Sequence, residues 1–269
     1  MPELPEVETI KNQLIPHLTG RTFKSIKIYD TRPLGNLSEK EFSRRLVGQK
    51  ITGLSRRGKY ILIHLSGGST LVIHLRMTGS LLWNPVDTEP FTRAEFFFEN
   101  KDRLVFTDIR RFGTLSFVKE TSDITNRLGI DPLNPKFTPQ ALQKLLSTRK
   151  SPVKAVLLQQ ELIAGIGNMY ADEALFASRI HPAKPAQTLS ACEIKRLHRA
   201  IQDVLHKAIR NKGASVRNYR SPDGRAGRAH EEFCVAHRGG KPCPRCGTSV
   251  SRIVIRQRGT YYCPTCQNI

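Results

Sequence analysis

The chain has 269 residues, 39% of them hydrophobic, with a formal net charge of +20 and a pI near 10.1. That length supports one large domain or two to three small ones; no apolar run approaches the roughly 20 residues of a membrane span, which excludes a helical membrane protein. The charge makes a polyanion the expected partner, and it is uneven, since residues 205–269 carry thirteen Lys and Arg against three Asp and Glu. No basic amphipathic helix with an apolar anchor accompanies it, so nucleic acid is favoured over a membrane surface. The start of the chain lacks the basic-then-apolar pattern of a secretory signal, and a cytoplasmic protein is expected.

The chain opens Met1-Pro2-Glu3-Leu4-Pro5-Glu6-Val7-Glu8. An initiator methionine is usually trimmed before a small residue, so the expected terminus is Pro2, a secondary amine followed at once by a carboxylate. An α-amine has a reference pKa of about 7.7–8.0 and is partly neutral near pH 7. On attacking a sugar C1′ it forms an iminium ion, an electron sink that opens β-elimination. The plainer reading is that Pro2 only permits trimming and the acids favour a helix start. Val7, Ile10 and Leu14 predict that helix over about 5–14, directly behind the terminus.

A strand-rich stretch follows. Segments 60–65 and 71–75 flank Ser66-Gly67-Gly68-Ser69, a hairpin signal in which Ile61, Ile63, Leu65, Leu71, Ile73 and Leu75 share the buried face and His64 and His74 the other. Segments 96–98, 104–106 and 114–118 read as further strands with little helix between them, which predicts an antiparallel sandwich. Beyond the link Leu133-Asn134-Pro135 the apolar spacing turns helical, with helices expected over about 139–147, 153–160, 168–178 and 189–210. A Gly-containing turn at 162–168 joins the second and third, and a basic, Gly-rich segment over 212–228 reads as a mobile loop.

Four of the six cysteines form two pairs, Cys243-Pro-Arg-Cys246 and Cys263-Pro-Thr-Cys266, with sixteen residues between. Two thiolates two residues apart sit on one knuckle turn, and two such turns close a tetrahedron around Zn²⁺. A closed four-thiolate site is structural: the ion folds the module. Gly247 follows the first pair, where a knuckle needs positive φ. Cys192 and Cys234 have no matching partners and read as ordinary buried or half-buried thiols.

Taken in order, the opening segment, Arg57-Gly58-Lys59-Tyr60, Asp108-Ile109-Arg110-Arg111-Phe112-Gly113, Gly165-Ile166-Gly167-Asn168-Met169-Tyr170 and Gln257-Arg258-Gly259-Thr260-Tyr261-Tyr262-Cys263 resemble the bacterial formamidopyrimidine-DNA glycosylases (8-oxoguanine-DNA glycosylases) of the helix–two-turn–helix type. The resemblance spans essentially the whole chain. It implies an α+β multidomain protein: an N-terminal antiparallel β-sandwich with a flanking helix (1–134), a helix–two-turn–helix DNA-binding domain with a lesion-capping loop (135–228), and a zinc-ribbon-like finger (229–269). It also implies excision of 8-oxoguanine and formamidopyrimidines from duplex DNA, strand cleavage at the abasic site, no organic cofactor, and a monomer.

The residue roles are carried over from that resemblance. Pro2 attacks C1′ of a flipped nucleotide, and Glu3 protonates the sugar ring oxygen and shuttles protons. Lys59 aids elimination and holds a phosphate, and Arg258 clamps the reacting phosphate. Asn168 contacts a phosphate beside helix amides, although by position alone it reads as an N-cap. Met77, Arg110 and Phe112 fill the void left by the flipped base, with Arg110 bonding the orphaned cytosine; without the resemblance Met77 and Phe112 read as core. Arg93 and Lys150 fall where the family has other DNA contacts, His74 is placed near a phosphate on an exposed face, Glu6 lines the lesion pocket, and loop 215–228 covers the base.

Two alternatives remain at this level. The endonuclease VIII-like branch, acting on oxidised pyrimidines, shares the Pro2-Glu3 chemistry; Leu4, Val7 and the Met77, Arg110, Phe112 set favour the purine branch. A non-catalytic zinc protein that binds nucleic acid fits the charge and the cysteines equally well, but has no need of Pro2 and Glu3.

Overall fold

The computed structural model describes residues 1–35, 37–87, 89–216 and 218–268. Arg217, inside the expected capping loop, and Ile269, the last residue of the expected finger, lie outside the described residues. The chain divides into two compact units, each made of two stretches: Met1–Asn126 with Ile209–His230, and Arg127–Ala208 with Glu231–Ile269.

In the first unit, helix α1 (Leu4–Leu18) presents Val7, Ile10, Leu14 and Leu18 along one stripe, all fully buried. Pro5 falls in the first turn, where a missing N–H costs nothing, and Pro16 falls in the last. Then come β1 (Ser25–Ile28), α2 (Glu39–Leu46), β2 (Ile51–Arg57), β3 (Tyr60–Leu65), β4 (Thr70–His74), β5 (Gly79–Trp83), β6 (Thr92–Phe97), β7 (Arg103–Asp108), β8 (Thr114–Val118) and the short α3 (Ser122–Thr125). They form two four-stranded antiparallel sheets, in the orders β1-β6-β7-β5 and β2-β3-β4-β8. The expected hairpin forms with Ile61 opposite Ile73 and Ile63 opposite Leu71. These residues pack into one core with Phe96, Leu104, Phe106, Leu115 and the α1 stripe. Strands β1, β2, β5 and helix α2 are additions to the sequence expectation. α2 buries only Phe42 and Leu46, and β2 buries only Ile51, with Thr52 exposed and five residues half-buried, so neither shows a strong apolar period.

Segment 209–230 belongs to this first unit and is tied down at several points, where the sequence reading has a mobile loop. Tyr219 is buried in the sandwich core, Trp83 N donates to Pro222 O (2.8 Å), and Arg220 makes two bonds to Glu89 (2.7 and 3.2 Å).

The second unit holds α4 (Pro139–Leu146), α5 (Val153–Leu157), α6 (Asn168–Ala177), α7 (Ala191–Arg210, whose last two residues enter the first unit) and the hairpin β9 (Ser251–Ile255) and β10 (Arg258–Tyr262). Thr138 caps α4 by accepting from Ala141 N, with Pro139 at the first helical position. α7 buries Ile194, Leu197, Ile201, Leu205 and Ala208 at helical spacing. α5 ends at Leu157, three residues before the expected stop. Among the described residues no helix is long and apolar enough to cross a membrane.

Candidate functional site

The first unit carries the amine-bearing end of the chain. Pro2 and Glu3 are buried, and Glu3 is the N-cap of α1. Its N–H donates to Glu6 Oε2 (2.7 Å), while Glu6 Oε1 accepts from Ala214 N (2.7 Å). The fully buried Glu6 thus ties the residue after Pro2 to the base of loop 215–228. Gly213 is required there: its φ is +78°, and a Cβ would lie 2.8 Å from Glu6 Cγ.

Lys59 is buried in the two-residue turn between β2 and β3, after Gly58 at φ +57°, as a hairpin with glycine at its first loop position demands. The turn is braced from α1. Arg56 Nε donates to Glu8 Oε2 (2.7 Å) and its Nη1 to Gly58 O (2.8 Å), and Glu8 also takes Lys11 Nζ (2.6 Å). Burial pushes the Glu8 carboxyl up, but the hydrogen bonds and charges of Lys11 and Arg56 outweigh it and hold it below its ordinary value.

His74 lies on the buried side, 8% exposed, where the sequence reading has an exposed face. Its Nδ1 accepts from Arg76 N (3.0 Å), and its ring packs edge-on to Tyr60 at 4.4 Å. Burial, then the charges of Arg76 and Lys59, lower its pKa to about 3, so the ring is neutral at physiological pH. Arg93 also departs from expectation: it is buried, and its Nε donates to Asp108 O (2.8 Å). Met77 and Phe112 are 40% and 53% exposed, unlike core residues. The Arg110 guanidinium lies over the Phe112 ring, 4.6 Å from its centroid.

In the second unit Lys150 is exposed after α4. Gly167, not Asn168, is the N-cap of α6; Asn168 is the first helical residue, and its Nδ2 donates to Gly259 O (2.9 Å). Arg258 is exposed at the start of β10, behind a tight turn in which Arg256 and Gln257 both have positive φ (46° and 61°). Loops with two left-handed residues suit the twist of a hairpin but strain side chains other than Gly, Asn and Asp.

Besides Asn168, the residues that hold this hairpin were absent from the sequence reading. Lys154, fully buried, donates to Gly259 O (3.1 Å) and Thr260 Oγ1 (2.8 Å) and pairs with Asp172 at 2.7 Å. Asp172 in turn accepts from Tyr261 N (3.1 Å), and burial raises its pKa to about 7 against the opposing charge of Lys154. Glu173 accepts from the backbone N–H of Cys234, Val235 and Ala236. Polar residues inside a helix that is buried on nearly every side carry no periodic signal. Arg56 and Asp108, by contrast, stand in or beside motifs that could have drawn attention to them.

Cys243, Cys246, Cys263 and Cys266 bring their Sγ atoms within 4.8 Å of one another. Zn–S bonds of about 2.3 Å in a tetrahedron require sulfurs roughly 3.8 Å apart; the 243–266 and 246–263 separations are 4.0 and 3.4 Å. The knuckle amides of Arg245 and Cys266 point at Cys243 and Cys263 Sγ, both at 3.4 Å, and Gly247 has φ +78°. The four cysteines hold one zinc ion, with a structural role, since no ligand position is left open. Cys234 is half-buried as expected, whereas Cys192 is exposed.

Three family models match in order: the formamidopyrimidine-DNA glycosylase N-terminal domain over residues 1–115, the formamidopyrimidine-DNA glycosylase H2TH domain over 128–220, and a zinc finger found in FPG and IleRS over 240–269. The formamidopyrimidine-DNA glycosylase of Chloroflexus aurantiacus is 45% identical, covering 99% of this chain and 98% of its own length. Among solved structures, MutM (Fpg) from Thermus thermophilus superposes with a TM-score of 0.89 at 40% identity over 99% of this chain and 98% of that one. The complex of Lactococcus lactis Fpg with DNA containing an abasic site gives 0.91 at 32% identity over 99% and 100%. Identity of this order along the whole length, through sandwich, helices and cysteine module alike, leaves one conclusion: the chain belongs to the formamidopyrimidine-DNA glycosylase family.

Proposed function

We propose that this protein excises oxidised purines, 8-oxoguanine and formamidopyrimidines, from duplex DNA and then cleaves the strand at the abasic site. The observation that carries the reading is the buried Pro2-Glu3 end, held through Glu6 and present in a chain related over its full length to formamidopyrimidine-DNA glycosylases. In this proposal the chain divides by function into a catalytic sandwich (1–134), a helix–two-turn–helix segment with its capping loop (135–228) and a zinc finger (229–269); family matches over 1–115, 128–220 and 240–269 support that order, while the capping loop folds with the first compact unit. It works as a monomer in the bacterial cytoplasm, on the nucleoid.

In this reading Met1 is removed and the Pro2 nitrogen attacks C1′ of a flipped nucleotide. The C1′–N9 bond breaks, its electron pair leaves with the base, and Glu3 protonates the sugar ring oxygen as the ring opens to an iminium. Loss of a 2′ proton expels the 3′ phosphate, and a second elimination expels the 5′ phosphate. Lys59 neutralises charge near the reacting phosphate in the first unit, and the second unit contributes Asn168, Lys150 and Arg258 as phosphate contacts. Met77, Arg110 and Phe112 occupy the void, with Arg110 on the orphaned cytosine. His74 and Arg93 serve this surface from beneath, as buried supports.

Borohydride trapping on a duplex with 8-oxoguanine opposite cytosine tests the reading, with intact-mass measurement of the same preparation. A covalent adduct on a chain lacking Met1 is expected, and it disappears in Pro2→Gly. Trapping on thymine glycol in preference to 8-oxoguanine would transfer the protein to the pyrimidine branch; salt-dependent binding with no adduct even at an abasic site would make it a binding protein.

A further inference from the structure

Asp108 ends β7 directly opposite Gly79, the first residue of β5, and is 0% exposed. Its carboxylate faces no solvent, yet both oxygens are engaged, and every donor belongs to a void-filling residue or to its neighbour in the chain. Oδ1 accepts from the Thr78 hydroxyl and from Arg110 N (3.1 Å), and Oδ2 accepts from Gly113 N (2.7 Å). Arg110 N also reaches Thr78 Oγ1 (3.0 Å). One buried carboxylate therefore closes segment 77–78 against segment 110–113. The enclosure is tight: a Cβ on Gly113 would lie 2.6 Å from Phe106 Cζ and 3.2 Å from Asp108 Oδ2. Arg93 completes it from outside, its guanidinium donating to the Asp108 carbonyl.

This arrangement leaves Met77, Arg110 and Phe112 exposed on two short segments whose spacing is set by that carboxylate. Strand pairing holds their ends, at Gly79 opposite Asp108 and His74 opposite Thr114, and the carboxylate bonds span the turns between. Arg111 sits at φ +60°, a conformation costly for a non-glycine residue, so the turn needs an anchor to persist. Charge-assisted hydrogen bonds from a buried carboxylate are among the stronger anchors available.

We propose that Asp108, acting through Thr78, is the positioning residue that sets the geometry of the three inserted side chains and thereby the discrimination for cytosine opposite the lesion. The inference rests on the reading above that these side chains enter the duplex. Asp108 touches no substrate; it determines where Arg110 and Phe112 stand relative to Met77.

The test compares wild type with Asp108→Asn, Thr78→Val and Thr78→Ser. Three quantities are measured: the ratio of kcat/KM for 8-oxoguanine opposite cytosine and opposite adenine, the fluorescence phases of a 2-aminopurine beside the lesion, and borohydride trapping on a single-stranded abasic oligonucleotide, which has no opposite base. In Asp108→Asn and Thr78→Val the cytosine-to-adenine ratio is expected to fall roughly tenfold, the equivalent of one charge-assisted hydrogen bond. The insertion phase of the fluorescence slows with it, single-stranded trapping stays within about twofold, and Thr78→Ser restores the ratio. Thr78→Val keeps the test alive should Asp108→Asn not fold. An unchanged ratio in both variants, or a parallel loss of single-stranded trapping, overturns the positioning role. Failure of wild type itself to trap any abasic substrate overturns the underlying functional reading instead.

Discussion

At the scale of single residues, burial decides the chemistry of His74. Its pKa, pushed down to about 3 by burial and by the charges of Arg76 and Lys59, lies well below the ordinary 6.5. The unfolded chain therefore takes up a proton first as pH falls, and stability is lost between about 6.5 and 3, at a rate approaching 1.4 kcal/mol per pH unit within that window. Asp172, raised to about 7, works the other way over the same range, so the His74 contribution is expected as the difference between wild type and His74→Gln in urea unfolding followed from pH 7 to pH 4. The same residue shows why an alternating pattern can mislead: His64 and His74 both fall on the face opposite Ile61 and Ile73, but only His64 stays partly exposed. Arg93 is the parallel case, a cation that reads as a DNA contact and instead donates to a carbonyl inside the sandwich. Met77 and Phe112 go the other way, apolar and yet exposed.

Among the elements, the hairpin carrying Arg258 depends on a buried ion pair one helix away. Lys154 and Asp172 are 0% and 1% exposed and together bond Gly259, Thr260 and Tyr261. Removing one member of such a pair strands the other charge, at a cost of about 3–5 kcal/mol, whereas apolar replacement of both is often near neutral. Lys154→Met is therefore expected to destabilise the protein by that amount, and Lys154→Met with Asp172→Leu to recover most of it in chemical denaturation. The double variant should still lose affinity for abasic DNA, because Gly259, Thr260 and Tyr261 behind Arg258 then lose their bonds to Lys154 and Asp172 and keep fewer anchors. A second brace acts between α1 and the β2–β3 turn. Glu8→Gln is expected to loosen the Arg56–Gly58 contact and to slow trapping several-fold, with little change in the apolar core; single-turnover kinetics beside thermal melting would separate the two. The long α7 and the β3–β4 hairpin were legible because their apolar periods run over many residues. β2, α2 and the C-terminal end of α5 were not, because each buries too few side chains to impose a period.

For the whole molecule, the +20 charge and the zinc module set the terms of DNA binding. Each phosphate neutralised by Lys or Arg contributes a slope of about −0.9 in log affinity against log salt. Affinity for an abasic duplex is thus expected to drop steeply between 50 and 200 mM salt, and Lys150→Ala or Arg258→Ala to reduce the slope by about one unit each. Stripping zinc with a chelator should abolish the ordered β9–β10 hairpin and DNA binding together, and added zinc should restore both, as circular dichroism and a binding titration would show. The cysteine spacing, the cationic balance, the strongly periodic helices and strands, and the ordered motifs were determined by the sequence alone. Each is local or additive: a knuckle needs two thiols two residues apart, and charge sums without regard to fold. Which polar side chains are buried, and what they face, is set by long-range packing that the chain order does not display. Asp108, Glu6, Arg56, Lys154 and Asp172 bond residues from 2 to more than 200 positions away in the chain, and burial there is a property of the packed elements around them.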